Sequence, residues 1–282
     1  MVLCTHNGRA RIADQLDALA EQDSIVPWEL VLVDNRSTDN TADFARNHWG
    51  GSAPLRIIEA NDVAGLSHAR NVGVANAAAE YIAFCDDDDV VGLSWVQAMA
   101  DALSQHSLVA SALSYERLNE QSLLVGRARF QSEHVEELFG MPVCAGVCGV
   151  RKELWDDLGG NDESLDFTGE DFDFALRAFS KAGIRPFFAS DAVYHYRFRE
   201  DPAGTFKQAR AYGRSHATLW ARHGDGRVGP ADEFRRAARE WWWVLTRAPL
   251  AMAGRNRVLW ARKAGRRVGR LSGSWRERVL LP

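Results

Sequence analysis

Tyr81-Ile82-Ala83-Phe84-Cys85 runs directly into Asp86-Asp87-Asp88-Asp89. The apolar half, with two aromatics and an isoleucine, has the composition of a buried strand. The acidic half ends it. Adjacent carboxylates repel, more strongly as the local dielectric falls. A strand end therefore carries such a run where a cation compensates it, or where it is a solvated acidic turn. Hard divalent ions such as Mg²⁺ and Mn²⁺ take carboxylate oxygens. In extended backbone, residues two apart share a face, so Asp86 and Asp88 can address one site together.

Working outward, strands and helices alternate. An apolar run over 1–4 ends at Thr5-His6-Asn7-Gly8, and Ile12, Leu16 and Leu19 follow at helical spacing. A β-branched run over 29–33 ends at Asp34, and Ser37-Thr38-Asp39-Asn40 offers caps for a helix over 41–47. A strand over 55–58, an alanine-rich helix over 66–79 and a helix over 94–103 complete the first third. This alternation predicts a mainly parallel sheet flanked by helices. Such sheets bind ligands at the carboxyl ends of their strands. The polar residues gather there: Thr5 and Asn7, Asp34 and Asn35, then Asp86 to Asp89. The first strand is short against the usual ~5–6 residues, so it is expected to begin upstream of residue 1.

Beyond residue 106 the pattern loosens. Strands are expected over 107–115, 186–189 and 192–196, and helices over 170–182, 206–223 and 231–246. The 282 residues are 46% hydrophobic and 26% charged, which excludes a disordered or collagen-like chain. No apolar stretch approaches the ~18 residues of a bilayer span. No basic-then-apolar segment opens the chain, so no secretory signal is expected. Cys4, Cys85, Cys144 and Cys148 sit among apolar neighbours and read as buried free thiols in a reducing compartment. Localisation is accordingly expected to be cytoplasmic.

The net charge of −4 conceals two opposite segments. Residues 204–282 hold 18 Lys and Arg against 5 Asp and Glu, a balance of +13, and residues 1–203 carry −17. The acidic part suits a metal or a cationic transition state. The basic part suits a phosphate-rich partner such as an anionic membrane.

Three further constellations carry chemistry. Thr168-Gly169-Glu170-Asp171 opens a helix, where the dipole favours carboxylates; one of them could also serve as a general base at the crevice. His195, in Val193-Tyr194-His195-Tyr196, returns to the sheet after one helix and could ligate a metal, although a lone histidine in a strand is usually structural. Arg70 lies early in a helix near the polar strand ends and suits a phosphate or a base edge, or a surface ion pair. A P-loop and a Gly-x-Gly-x-x-Gly fingerprint are both missing.

Five ordered pieces together resemble the family 2 glycosyltransferases, over about residues 1–200. They are Cys4-Thr5-His6-Asn7; Val33 to Thr41 with Asp34-Asn35; Ala69-Arg70-Asn71-Val72-Gly73; Tyr81 to Asp89; and Gly159 to Glu163 followed by Gly169-Glu170-Asp171. The resemblance implies an α/β GT-A-type nucleotide-diphospho-sugar transferase fold for the catalytic part, 1–203. The arginine-rich helical pattern after it reads as a basic helical C-terminal extension, 204–282. Thr5, Asn7, Asp34 and Asn35 would line the nucleoside pocket, and Arg70 would approach the base or diphosphate. Asp86 and Asp88 match the Asp-x-Asp motif, with Asp87 between them. Asp86, Asp88 and His195 would hold Mg²⁺ or Mn²⁺. Asp171 matches the catalytic base, with Glu170 beside it. The family commonly has tyrosine where His6 stands and often has aspartate where Asn35 stands. The Gln-x-x-Arg-Trp motif of processive members is missing.

The implied activity is metal-dependent, inverting, non-processive transfer of a hexose from a nucleotide-diphosphate sugar. The acceptor would be a hydroxyl of a sugar, lipid-linked or small-molecule compound, as in polysaccharide or glycoconjugate synthesis. Two other readings compete: a nucleotidyltransferase, and a catalytically silent glycan-binding protein on the same fold. A nucleic-acid partner is not expected. For the tail, Trp241-Trp242-Trp243, Trp260 and Trp275 favour a peripheral site at the inner face of the cell membrane; the competing reading has them buried between helices.

Overall fold

The computed structural model describes residues 1–124, 129–165, 168–224, 230–254 and 256–279. In chain order the elements are β1 (Val2–Thr5), α1 (Ile12–Ala20), β2 (Leu30–Asp34), α2 (Thr41–His48), β3 (Leu55–Glu59), α3 (Leu66–Asn76), β4 (Tyr81–Asp86), β5 (Val90–Val91), α4 (Trp95–Gln105) and β6 (Leu108–Ser114). Then come α5 (Gln121–Leu124), β7 (Glu136–Leu138), β8 (Met141–Val143), β9 (Cys148–Arg151), α6 (Lys152–Asp157), α7 (Glu170–Ala182), β10 (Phe187–His195), α8 (Pro202–His223), α9 (Pro230–Met252) and α10 (Arg257–Glu277). Two compact units result: Met1–Glu120, Ala128–Ser164 and Glu170–Arg197 form the first; Gln121–Arg127, Leu165–Gly169 and Phe198–Pro282 form the second.

The first unit is built on an eight-stranded sheet of order β3-β2-β1-β4-β9-β6-β10-β5. Strands β3, β2, β1 and β4 are parallel, β9 runs antiparallel to both β4 and β6, and β10 returns parallel to β6. The chain leaves β1 for β2 and β3 on one side and later reaches β4 on the other. The crevice at that reversal is where open α/β sheets bind ligands. Register aligns the polar ends, with Thr5 opposite Asp34 and Cys4 opposite Asp86. Every residue of β1 and β2 is buried, as expected of strands covered on both faces. The four thiols are free and buried, as their apolar neighbours suggest.

Several boundaries differ from the sequence expectation. Helix α3 stops at Asn76, because Ala77 adopts extended backbone while its N–H caps Val74. Strand β10 is one strand, not two. Its register against β6 slips between Ala189 and Val193, and Ser190 and Asp191 lie exposed at the bulge.

The second unit contains a third long helix, α10, which apolar periodicity does not announce. Its contact with α8 is made by glycine. A Cβ on Gly269 would lie 2.1 Å from the Arg210 carbonyl oxygen, one on Gly265 2.5 Å from that of Phe206, and one on Gly273 2.8 Å from that of Arg214. Glycine at every fourth position lets the two backbones approach where a larger residue would hold them apart.

Candidate active site

The acidic run after β4 is not a solvated turn. Asp87 and Asp89 are buried, and the structure separates the four carboxylates. Asp87 turns toward the end of β1, where Thr5 Oγ1 donates to its Oδ2 at 2.5 Å and Arg11 approaches to 3.6 Å. Asp89 turns the other way and accepts from the Arg197 N–H at 2.6 Å. Burial pushes Asp87 above the usual carboxylate range; burial and then the neighbouring Asp88 and Asp86 push Asp89 well above it.

The loop backbone is tied down at both ends. Gln15, buried on the apolar face of α1, donates to the Asp86 carbonyl at 3.1 Å and accepts from the Val91 N–H at 2.9 Å. The Arg197 guanidinium donates to the Asp88 carbonyl at 3.0 Å and to Asp14 at 2.7 Å. Sequence reasoning missed both residues. The available signal for Gln15 is a polar side chain within the Ile12, Leu16 and Leu19 stripe.

Arg70 is buried. It donates to Glu170 Oε1 at 2.9 Å and to Asp86 Oδ1 at 3.2 Å, and it lies 5.4 Å from the centre of the Phe84 ring. One guanidinium thus joins the acidic strand end to the first turn of α7. Arg70 is held by two protein carboxylates, an ion pair made in the interior rather than at the surface. Burial opposes its charge, but Glu170 and Asp86 outweigh burial and raise its pKa.

The two acids of α7 therefore differ. Glu170 is buried and paired. Asp171 is half-buried, and its Oδ1 accepts from the Phe172 N–H at 2.8 Å. Burial, then the Glu170 charge, pushes Asp171 up to about 7, against the opposing pull of Arg70. A carboxylate near neutrality in an accessible position has the properties of a general base.

On the other side of the crevice the predicted pocket residues lie at adjoining strand ends, several of them bonded to neighbouring loops. Asn35 Nδ2 donates to the carbonyls of Ala60 (2.5 Å) and Val63 (2.8 Å), and its Oδ1 accepts from the Gly65 N–H at 3.0 Å. It shapes the loop after β3. Asp34 Oδ1 accepts from the Ser37 N–H at 2.9 Å. Asn7, at φ 51°, accepts from the Thr38 N–H at 2.8 Å and lashes the ends of β1 and β2 together. Gly8 leaves room for the Thr5–Asp87 pair: a Cβ there would lie 2.2 Å from Asp87 Oδ2 and 2.3 Å from Thr5 Oγ1.

His195 ends β10 opposite Val90, two residues beyond Asp88, and its buried Nδ1 has no hydrogen-bond partner. Burial, then Arg117, lowers its pKa and favours the neutral imidazole that metals bind. Among the described residues, however, no three His, Cys, Asp or Glu side chains cluster closely enough to enclose a metal. The expected set of Asp86, Asp88 and His195 is not a preformed cage. Asp86 is instead engaged by Arg70.

With this geometry in view, the family model described as Glycosyl transferase family 2 matches residues 1–156. The chain belongs to glycosyltransferase family 2. A second model, Glycosyl transferase family group 2, matches residues 81–262. The Bacillus subtilis (strain 168) glycosyltransferase YwdF is 25% identical over 202 residues, covering 70% of this chain and 73% of that protein. Glycosyltransferase EpsJ of the same organism is 30% identical over 109 residues, 38% of this chain but only 31% of its own length.

Solved structures agree in fold. A mannosyltransferase of Pyrobaculum calidifontis, in complex with GDP-Man and Mn²⁺, superposes with a TM-score of 0.66 at 19% identity, covering 98% of this chain and 86% of that one. Staphylococcus aureus TarS 1-349 in complex with UDP gives a TM-score of 0.55 at 19% identity, over 98% and 90%. The fold of this family 2 member is thus the GT-A type. Membership favours sugar transfer over the nucleotidyltransferase reading.

Proposed function

We propose that the protein is an inverting, non-processive hexosyltransferase, taking its donor from a nucleotide-diphosphate sugar and its acceptor from a sugar, lipid-linked or small-molecule hydroxyl. The observation that carries this reading is one crevice flanked by Thr5, Asp34 and Asn35 on the nucleotide side, with Asp86 and Asp171 coupled through Arg70 and Glu170.

Asp171 removes the acceptor proton as the acceptor oxygen bonds to the anomeric carbon. The bond to the nucleotide diphosphate breaks on the opposite face, so configuration inverts. General-base help of this kind is typically worth ~10²–10⁴-fold. Asp171 stays near neutrality because Arg70 offsets part of the push from burial and Glu170. Glu170 is a positioning residue, fixing the first turn of α7 through Arg70. The Thr5–Asp87 bond and the Asn35 contacts fix the strand ends and loop on which nucleoside and diphosphate would lie.

The donor set fits a divalent ion completed by substrate. Mg²⁺-type ions commonly use one or two carboxylates plus substrate phosphates rather than an all-protein cage, which matches a partnerless His195 Nδ1 near a carboxylate-bearing strand end. Asp88 and His195 would hold Mg²⁺ or Mn²⁺, with Asp86 beside them, and the ion would neutralise charge on the departing diphosphate.

Functionally we divide the chain at 203/204, with catalysis before and a basic extension after, and place the protein in the cytoplasm at an anionic membrane surface. Among the described residues, no helix is long and apolar enough to cross a membrane. The test of the activity is release of nucleotide diphosphate from a panel of nucleotide sugars, with and without Mn²⁺. Metal-dependent turnover of at least one donor is expected. Sugar binding without turnover would favour the silent glycan-binding reading.

A further inference from the structure

The helical unit carries an apolar helix face directed to solvent. One side of α9 is packed: Ala237, Val244 and Ala251 are buried, Trp260 Nε1 donates to the Val244 carbonyl at 2.9 Å, and Trp243 lies beneath Lys263 and Arg247. Trp243 and Trp260 are therefore half-buried and engaged in contacts within the unit.

Another side of the same helix is bare. Trp242 is 71% exposed, Leu245 65%, Met252 86% and Phe234 45%. Ala238 and Pro249 are exposed as well. At ~100° per residue, Phe234, Ala238, Trp242, Leu245, Pro249 and Met252 fall within ~80° of one another around the axis. Single exposed apolar residues are ordinary, but a contiguous ridge of them along some five turns marks an interaction surface.

Charge identifies the occupant. Arg235, Arg236, Arg239 and Arg247 are all exposed on α9, and residues 204–282 as a whole balance at +13. By sequence α9 sets these four arginines against Asp232, Glu233 and Glu240, so the helix stays net basic, and Glu240 is turned to Arg267 at 3.0 Å. An apolar ridge with tryptophan, cationic neighbours and too little hydropathy to span is the pattern of a helix lying in the plane of a bilayer interface. A protein partner of matching acidity would meet the arginines, but nothing in the chain specifies one.

We propose that the Phe234–Trp242–Leu245–Met252 face of α9 inserts into the headgroup region of an anionic bilayer, with Arg235 and Arg239 at the phosphate level. This deepens the membrane reading given above and rests on it, but it stands apart from the assignment of the sugar-transfer chemistry.

The test uses the full chain and vesicles of phosphatidylcholine with or without phosphatidylglycerol. Wild-type protein is expected to sediment with the anionic vesicles and not the neutral ones, with binding weakened by salt. Trp242→Glu with Leu245→Glu is expected to lower partitioning at least about tenfold, while leaving nucleotide-sugar turnover with a water-soluble acceptor unchanged. If that variant fails to fold, Arg235→Gln with Arg239→Gln serves, and binding to anionic vesicles is expected to fall while the circular dichroism holds. No wild-type binding at low salt would overturn the membrane reading itself. Wild-type binding that survives both variants would overturn this face. A dimer in light scattering that the Trp242 variant dissociates would assign the face to a second copy of the chain. Donor turnover is measured separately, so the catalytic reading stands or falls by its own assay.

Discussion

Arg70→Met removes the cation that joins the acidic strand end to α7 while keeping most of the side-chain volume. Two contacts disappear. The pair with Glu170 is 2.9 Å between groups of 4% and 5% side-chain exposure, and removing one partner of such a buried pair costs about 3–5 kcal/mol. The contact with Asp86 is 3.2 Å with that carboxylate 35% exposed, so it adds about 0–1 kcal/mol. The melting temperature is expected to fall by roughly 10 °C at neutral pH. The loss comes from a carboxylate left buried without its cation, and protonation relieves it. The destabilisation is therefore expected to be larger at pH 8 than at pH 4. Adding Glu170→Gln removes the stranded charge, so the double variant is expected to recover part of the loss rather than sum the two. Thermal melts of the three proteins across pH measure this without any substrate. Equal destabilisation at both pH values, or strict additivity, would refute the account of Arg70 as an internal bridge.

Other consequences follow from the same geometry. Asp88→Ala is expected to abolish Mn²⁺-enhanced binding of nucleotide diphosphate in calorimetry while leaving the melting temperature nearly unchanged; unaltered metal dependence would remove Asp88 from the ligand set. Gly8→Ala must displace both Asp87 and Thr5, so it is expected to cost about 1–3 kcal/mol by urea unfolding, together with weaker nucleotide binding. Asp171 is raised above its unfolded-state value, so the stability it contributes is present below the ordinary carboxylate range and lost as pH rises through about 7. Asp171→Asn is expected to flatten that part of the stability profile.

The sheet was legible because its strands are short apolar runs with polar ends, and each of the first four alternates with a helix. Their parallel direction and the gathering of polar residues at their carboxyl ends follow from that alternation. The antiparallel insertion of β9 was not legible, since three-state periodicity carries no strand direction. Helix α10 was hidden because its packing face is glycine, which local propensity reads as a helix breaker. At the site, the residue types were readable but their partners were not. The carboxylate partners of Arg70 were hidden because sequence cannot show that Glu170, 100 positions later, returns to meet it. Asp86 to Asp89 read as one acidic patch, yet Thr5, Arg11, Arg70 and Arg197 draw its members in different directions.

The central claim is that Asp171 is the base, and the pH dependence of nucleotide-diphosphate release from a turned-over nucleotide sugar tests it most directly. For the wild type, kcat/KM is expected to rise with pH along an acidic limb near 7, because the carboxyl must lose its proton before it can accept one. Asp171→Asn is expected to bind the donor as before, lose at least ~10²-fold in kcat and show no such limb. A variant retaining the wild-type profile and rate would contradict the account.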